Sequence, residues 1–376
     1  MSVEFLWRIP VHGDGRRAHN LHTRGEWNQL KPNQAPQRVA PQHDDQHFAY
    51  FDYIKQVAQA ADIVGFHGVL IPAFPQTEEP WVWASALARE TRRLRFLIAI
   101  QPWFIHPAYA SQMAASLQRV SNGRVEWNVI SGGGGEQQRS YGDFIAHDQR
   151  YARTNEFLDF VKGYTHHSPF NYDGEFYRVE NGGLRYPMNQ YEVPRIWLAG
   201  ASDASLHVAG RHAQIHLTWG EPVAQQKQVI DQTKAFFEKH YPDSKVKFGM
   251  RIDVLARPTE EQAYQELRLM HETIAKENLG FEKSDTESVG AKRQQALAQS
   301  SRFEDLFVSE NFWAGMSKVR GGPNGIIVGS YEQVAQRLQE YIDIGVEHFI
   351  LASNPHLEEA YRIGEEVLPL LGYNFK

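Results

Sequence analysis

Short apolar runs alternate with longer stretches of helical period along nearly the whole chain. The runs FLWRIP (5–10), GVLIPA (68–73), LRFLIAI (94–100), RVEWNVI (124–130), RIWLAG (195–200), IHLTWG (215–220), KFGMRIDVLA (247–256) and HFILAS (348–353) read as eight strands. Several are almost continuously apolar, as expected of parallel strands buried on both faces. Amphipathic segments at 47–64, 80–91, 107–120, 150–164, 203–210, 222–239, 259–275, 331–344 and 357–371 read as helices. Eight strands in alternation with helices predict an α/β chain folded as one (β/α)8 TIM barrel over 1–376. A doubly wound sheet is the alternative. It would want a glycine-rich phosphate fingerprint after the first strand, and HGDGRR does not supply G-x-G-x-x-G.

Three stretches exceed the minimal barrel. Residues 13–46 form a long, polar first βα loop. Residues 168–192 contain FNYDGEFYRVENGG, which predicts a hairpin insertion around Asp173-Gly174. Residues 276–325 are charged and weakly periodic, and at that length are expected to form an active-site lid.

Composition narrows the chemistry. The chain has 376 residues, a net charge of -6 and no cysteine. That leaves no disulfide, thiolate metal site or cysteine nucleophile. Nothing in the charge suggests a nucleic-acid or membrane partner. The N-terminus lacks the regions of a signal peptide and no long apolar run is present, so a cytoplasmic protein is expected. Residues just past the strand ends build barrel active sites. There the chain places His12 and Asp14 after strand one, Thr77 after strand two, and Asn128 with a glycine run on strand four. Gly200 and Ser202 follow strand five, and Trp219 ends strand six. Arg251 and Asp253 lie on strand seven, with Asn354 and His356 after strand eight. The set is basic and aromatic once Arg320 is counted. A pair of carboxyls flanking one bond, as a glycosidase needs, is not supported by the spacing. An H-x-H cluster for a dinuclear metal is absent, so no metal is expected. The set suits an anion beside a flat organic cofactor. The Gly200–Asp203 turn opens a helix, whose N-terminal amides can hold a phosphate; equally, Ser202 can simply cap that helix.

Several strings together resemble the luciferase-like flavin-dependent monooxygenases. These are HGDG (12–15), GVLIP (68–72), SNGRVEWNVISGG (121–133), HDQRY (147–151) and LAGASDAS (198–205), followed by LTWGEP (217–222), VRGG (319–322) and PHLEEAYR (355–362). The last three point to the alkanesulfonate monooxygenase branch. The resemblance implies a two-component system in which a separate NAD(P)H-dependent reductase supplies reduced FMN. With O2, the barrel would cleave the C–S bond of an organosulfonate to an aldehyde and sulfite. It further implies a homodimer or homotetramer. Asn128, Arg150, Tyr151, Gly200 and Ser202 match flavin-binding positions, with His147 in the same motif. His12, Trp219, Arg251, Arg320 and His356 match the substrate side. Three positions depart from the branch. Thr77 stands near a position where the branch has a cysteine, Asp253 replaces a histidine, and Asn354 replaces a tyrosine. Asp253 shares a strand face with Arg251 and can neutralise it. The departures lie on the substrate side. They imply a kept reaction type and a changed substrate, such as a sugar sulfonate or a sulfone. A non-catalytic flavin-binding protein is the alternative from another class.

Overall fold

The computed structural model describes residues 3–10, 50–73, 77–277, 287–319 and 324–373. Eight parallel strands close into a ring: β1 (Glu4–Arg8), β2 (Gly68–Ile71), β3 (Arg95–Ile100), β4 (Val125–Val129), β5 (Arg195–Ala199), β6 (Ile215–Trp219), β7 (Lys247–Arg257) and β8 (Val346–Ala352). Each pairs with the next, and β8 returns to β1. Helices follow the strands in turn: α1 (Tyr50–Ile63), α2 (Pro80–Glu90), α3 (Pro107–Ser121), α4 (His147–His166), α5 (Asp203–His212), α6 (Val223–His240), α7 (Glu260–Glu277) and α8 (His356–Arg362). The chain is therefore a (β/α)8 TIM barrel, and all eight apolar runs are ring strands.

The two-residue period of a strand explains those runs. Phe5, Trp7, Val69, Ile71, Phe96, Ile98, Ile196 and Leu198 point outward into the core shared with the helices. The alternate positions Leu6, Leu70, Leu97, Trp197, Ile215, Leu217 and Ile350 point inward and plug the barrel. Both faces are dry, so both must be apolar.

Below the plug, at the N-terminal ends of the strands, the barrel is closed by charge. Glu4 accepts from Arg95 at 2.7 Å and from Arg195 at 2.6 Å. Glu126 accepts from Arg195 and from the indole of Trp197, each at 2.7 Å. Arg95 reaches Glu126 at 3.2 Å, and His348 stands 3.5 Å from Glu4. Five strands are tied at one level. A register slip in any of them would bury a charge without its partner, which costs far more than a lost apolar contact.

Two segments lie outside the strand–helix alternation of the barrel. Phe170–Asp173 and Arg178–Gly182 pair antiparallel outside the barrel. Between β7 and β8, the strands Phe307–Ser309, Phe312–Trp313 and Ile326–Ser330 extend the sheet from the far half of β7, with Ile326 opposite Asp253. Periodicity did not reveal Ile326–Ser330 as a strand because its partner is the overlong end of β7. Leu255, Leu267, Met270, Phe303, Leu306 and Trp313 form a second small core beneath this extension. The predicted final helix, 357–371, continues as a π turn (Ile363–Val367) and a 3-10 turn (Leu368–Leu371) after Arg362. Pro369 lacks the amide that an α-helix needs there and clashes with the turn before it.

The floor predicts a pH response. Burial pushes the Glu4 carboxyl up, but the Arg195 hydrogen bond and the Arg95 charge outweigh burial and hold it at about 2, from an ordinary 4.5. A depressed carboxyl stabilises the fold fully above its unfolded value and loses that contribution as pH falls through the folded one. Glu4→Gln should lower the thermal midpoint at neutral pH and flatten its decline between pH 4.5 and 2. Parallel melts of both proteins across that range read this directly. Arg195→Met, which strips a partner from both carboxylates, should cost about 3–5 kcal/mol in denaturant unfolding.

Candidate active site

The upper end of the barrel interior is polar. On β1, Glu4 and Leu6 face inward, and Arg8 continues that face with only 7% of its surface exposed. On β7, Arg251 and Asp253 do the same two residues apart. Their side chains are buried and form an ion pair at 2.8 Å. The pairing anticipated from their spacing is present. Arg251 also lies over the Trp219 ring, 5.8 Å from guanidinium carbon to ring centroid, an arrangement that suits arginine's flat, weakly hydrated cation. Asn128 faces inward from β4, and Asn354 closes the turn after β8. Each holds a buried amide oxygen with no hydrogen-bond partner among the described residues. His356 begins α8 and is buried. Its carbonyl accepts the Trp7 indole N–H at 3.1 Å, which pins the end of β8 to β1.

Beside this mouth lies a cleft of about 200 Å³ at the ends of β4, β5 and β6. Ser131, Tyr151, Ser202, Thr218 and Trp219 line it, with His147 at its rim. Gly200 makes one wall. Its φ is 140°, and a side-chain carbon there would lie 2.0 Å from Ser205 Oγ and 3.2 Å from the Tyr151 hydroxyl. Only glycine fits. The Gly200 carbonyl sits 2.8 Å from His216 Nε2. Burial lowers the His216 pKa to about 4, so at neutral pH the ring is uncharged and Nε2 carries a proton for that carbonyl. Ser202 Oγ caps α5 by accepting the Ser205 amide at 3.3 Å. Capping and cleft lining coexist in one residue: the amides of the first turn still lack intrahelical acceptors.

The opposite wall comes from residues 287–293, which arrive after β7. The Glu287 amide donates to Gly133 O at 3.0 Å, and its carboxylate binds the buried Arg150. That hydrogen bond and charge hold the Glu287 carboxyl below its ordinary pKa. Arg150 also donates to Ile145 O at 3.1 Å. It thus fastens this wall to the start of α4 and is not itself among the cleft-lining residues. The helix Val289–Leu297 follows, capped by Ser288.

The structure therefore brings the residues together as two adjoining groups that share Trp219. Arg251, Asp253, Asn128, Asn354 and His356 belong to the barrel mouth. Tyr151, Gly200, Ser202 and His147 belong to the cleft. Thr77 is half-buried just before α2. His12 and Arg320 lie outside the described residues. Sequence reading missed Arg8, Ser131, Glu221, Ser288 and Arg293. Arg8 was available from the two-residue period of β1; the others acquire meaning only through the approach of 287–293. Among the described residues, no group of three or more His, Asp or Glu could hold a metal ion. None of their helices is long and apolar enough to cross a membrane.

Solved structures with this architecture include EDTA monooxygenase from Chelativorans sp. BNC1 (TM-score 0.71, 18% identity, 99% of this chain and 94% of that one). Another is DmoA from Hyphomicrobium sulfonivorans (TM-score 0.71, 18% identity, 99% and 88%). A third is the riboflavin lyase RcaE, solved with modified FMN and riboflavin (TM-score 0.70, 18% identity, 99% and 92%). At such identity they speak for the fold, while the sequence model described as luciferase-like monooxygenase matches residues 30–348. Since that match covers most of the chain and takes in the whole cleft together with Asn128, Arg251 and Asp253 of the mouth, the chain belongs to the luciferase-like monooxygenase family.

Proposed function

We propose that the protein is the oxygenase of a two-component system that uses reduced FMN and O2 to cleave the C–S bond of an organosulfonate. A separate NAD(P)H-dependent reductase would supply the flavin. The balanced reaction converts R–CH2–SO3⁻, O2 and FMNH2 into R–CHO, hydrogen sulfite, FMN and water. The observation that carries the reading is Arg251. It is a buried guanidinium at the barrel mouth, laid over Trp219 beside the cleft that Tyr151 and Ser202 line. Its planar donor fork complements the oxygens of a sulfonate.

The residues present fit a flavin. The Asn128 and Asn354 amide oxygens lack partners among the described residues and can accept from N–H groups of a reduced isoalloxazine. Tyr151, Ser202 and the α5 amides would hold the phosphate end. When bound, reduced FMN supplies two electrons and activates O2. The protein's own part is to bind, orient and exclude water. Trp219 and the 287–293 wall cover the cleft, and Asp253 fixes the plane of the Arg251 fork.

Asp253 also bears on the substrate. Its carboxylate offsets much of the Arg251 charge, which disfavours a bare alkyl sulfonate that offers charge alone. Asp253 and Asn354 present hydrogen-bonding groups around one space. A sulfonate carrying hydroxyls or other polar substituents satisfies them better than an alkane chain.

With enzymatically reduced FMN, O2 and a panel of sulfonates, sulfite should appear, faster from hydroxylated than from simple alkyl members. Tight FMN binding with no sulfite from any sulfonate would overturn the assignment. Arg251→Ala should reduce kcat/KM about 100-fold while the FMN dissociation constant stays within about twofold. Asp253→Asn should lower KM for simple alkanesulfonates, because the guanidinium then meets the substrate with its full charge. Steady-state kinetics on both variants separate these effects.

A further inference from the structure

The glutamate of the LTWGEP stretch is left unused by the reaction above, yet it is among the best-buried carboxylates in the protein. Glu221 is 3% exposed. It accepts from Arg293 Nε at 2.7 Å, and its carbonyl is held by the Tyr341 hydroxyl at 2.7 Å. Next to it, Gln294 donates to Gly220 O at 2.9 Å. The middle of helix Val289–Leu297 is thus tied to the turn after β6, just as Glu287 ties the preceding residues to α4.

This anchoring has a consequence for the cleft. Ser288, Val289, Gly290 and Arg293 line it together with Ser202. Two helices, α5 and Val289–Leu297, begin at the same space, each capped by a serine on the cleft wall. Each leaves first-turn amides without intrahelical acceptors and the positive end of its dipole there. Ser131 independently indicates a ligand. It is 6% exposed and lines the cleft, and its hydroxyl has no hydrogen-bond partner among the described residues. A buried polar group is normally satisfied. The cleft-lining Glu287 and the neighbouring Glu221 are each held on a guanidinium. The single bond to Glu221 uses one of the five N–H donors of Arg293 and fixes the plane of the remaining four.

We propose that Ser288, Arg293 and the first-turn amides of helix Val289–Leu297 are the second arm of a clamp for a phosphate monoester, with Glu221 as the residue that positions Arg293. The chemistry selects the ligand. Donors come from two separate elements that line one cleft, so they suit a tetrahedral dianion with three terminal oxygens rather than a planar carboxylate. Two helix N-termini favour a double negative charge over a single one. On the flavin reading proposed above, the monoester is the 5′-phosphate of FMN. The clamp then makes the protein select FMN over riboflavin; free inorganic phosphate is the other source of the same chemistry.

The test uses the full chain and three probes. FMN and riboflavin are titrated by quenching of flavin fluorescence, and inorganic phosphate by its effect on the thermal midpoint. The wild-type protein should bind FMN at least tenfold more tightly than riboflavin. Arg293→Gln should weaken FMN roughly ten- to hundredfold and leave riboflavin within twofold. Arg293→Lys should restore part of the loss, and both variants should keep the wild-type circular dichroism. Glu221→Gln should lower the FMN-over-riboflavin ratio, a readout that general loosening of the fold would leave unchanged. The clamp is overturned if Arg293→Gln weakens both flavins equally or weakens neither. Should the wild type bind neither flavin, the flavin reading itself fails and the clamp is judged on phosphate alone. A midpoint raised by millimolar phosphate in the wild type and not in Arg293→Gln supports it, and no rise in the wild type overturns it.

Discussion

Two carboxylates and two guanidiniums close the floor of this barrel, and the rest of the structure is oriented by that closure. Glu4, Arg95, Glu126 and Arg195 come from four strands and meet at one level, where each carboxylate touches both arginines. Buried ion pairs add little net stability over an apolar replacement, but mispairing them is expensive. Their contribution is therefore register. With the floor set, the two-residue period of each strand stacks an apolar plug above it and a polar layer above that. Arg8, Asn128, Arg251 and Asp253 reach the mouth because they stand a fixed number of residues above the floor.

The polar layer and the neighbouring cleft divide the chemistry. The mouth holds one guanidinium in a set plane, braced by Asp253 and covered on one side by Trp219. The cleft holds hydroxyls, helix-start amides and a glycine wall that admits close approach. Trp219 belongs to both, so a ligand spanning them would place its phosphate end and its reactive end on opposite sides of one indole. The Arg251–Asp253 pair sets a buried carboxylate against the guanidinium of the mouth. On the proposed function, a carboxylate there would turn a charge-dominated anion site into one that also discriminates by hydrogen bonding.

Residues 287–319 and 324–330 show how an excursion between two barrel strands becomes part of a site. The excursion is held by its own small core around Trp313 and Leu306 and by the strand Ile326–Ser330 on the extended β7. From that base, one short stretch returns to the barrel mouth. It is fastened by two ion pairs, Glu287 with Arg150 and Arg293 with Glu221. In both pairs the barrel-side partner is deeply buried, which makes the fastening specific in place. Arg150 stood in a flavin-associated motif by sequence. In the fold its guanidinium holds the wall that faces the cleft.

Much of the architecture was legible in the residues alone. A strand buried on both faces must be apolar throughout, and a helix on its outside must repeat every three to four residues. Eight ring strands could therefore be read from periodicity. The Arg251–Asp253 pair could be read from a spacing of two, and Asp173-Gly174 marked a turn by local chemistry. Sequence also determined that Gly200 and Ser202 sit where a strand ends and a helix begins. Only the tertiary structure decided what depends on distant segments meeting. Ile326–Ser330 is a strand because β7 runs long enough to pair with it. Arg150 and Glu221 become anchors because 287–293 approaches them. Ser131, Ser288 and Arg293 become one wall of a cleft only once the excursion after β7 folds back. A period records which face of its own element a residue occupies; it carries no information about which remote side chain will be opposite.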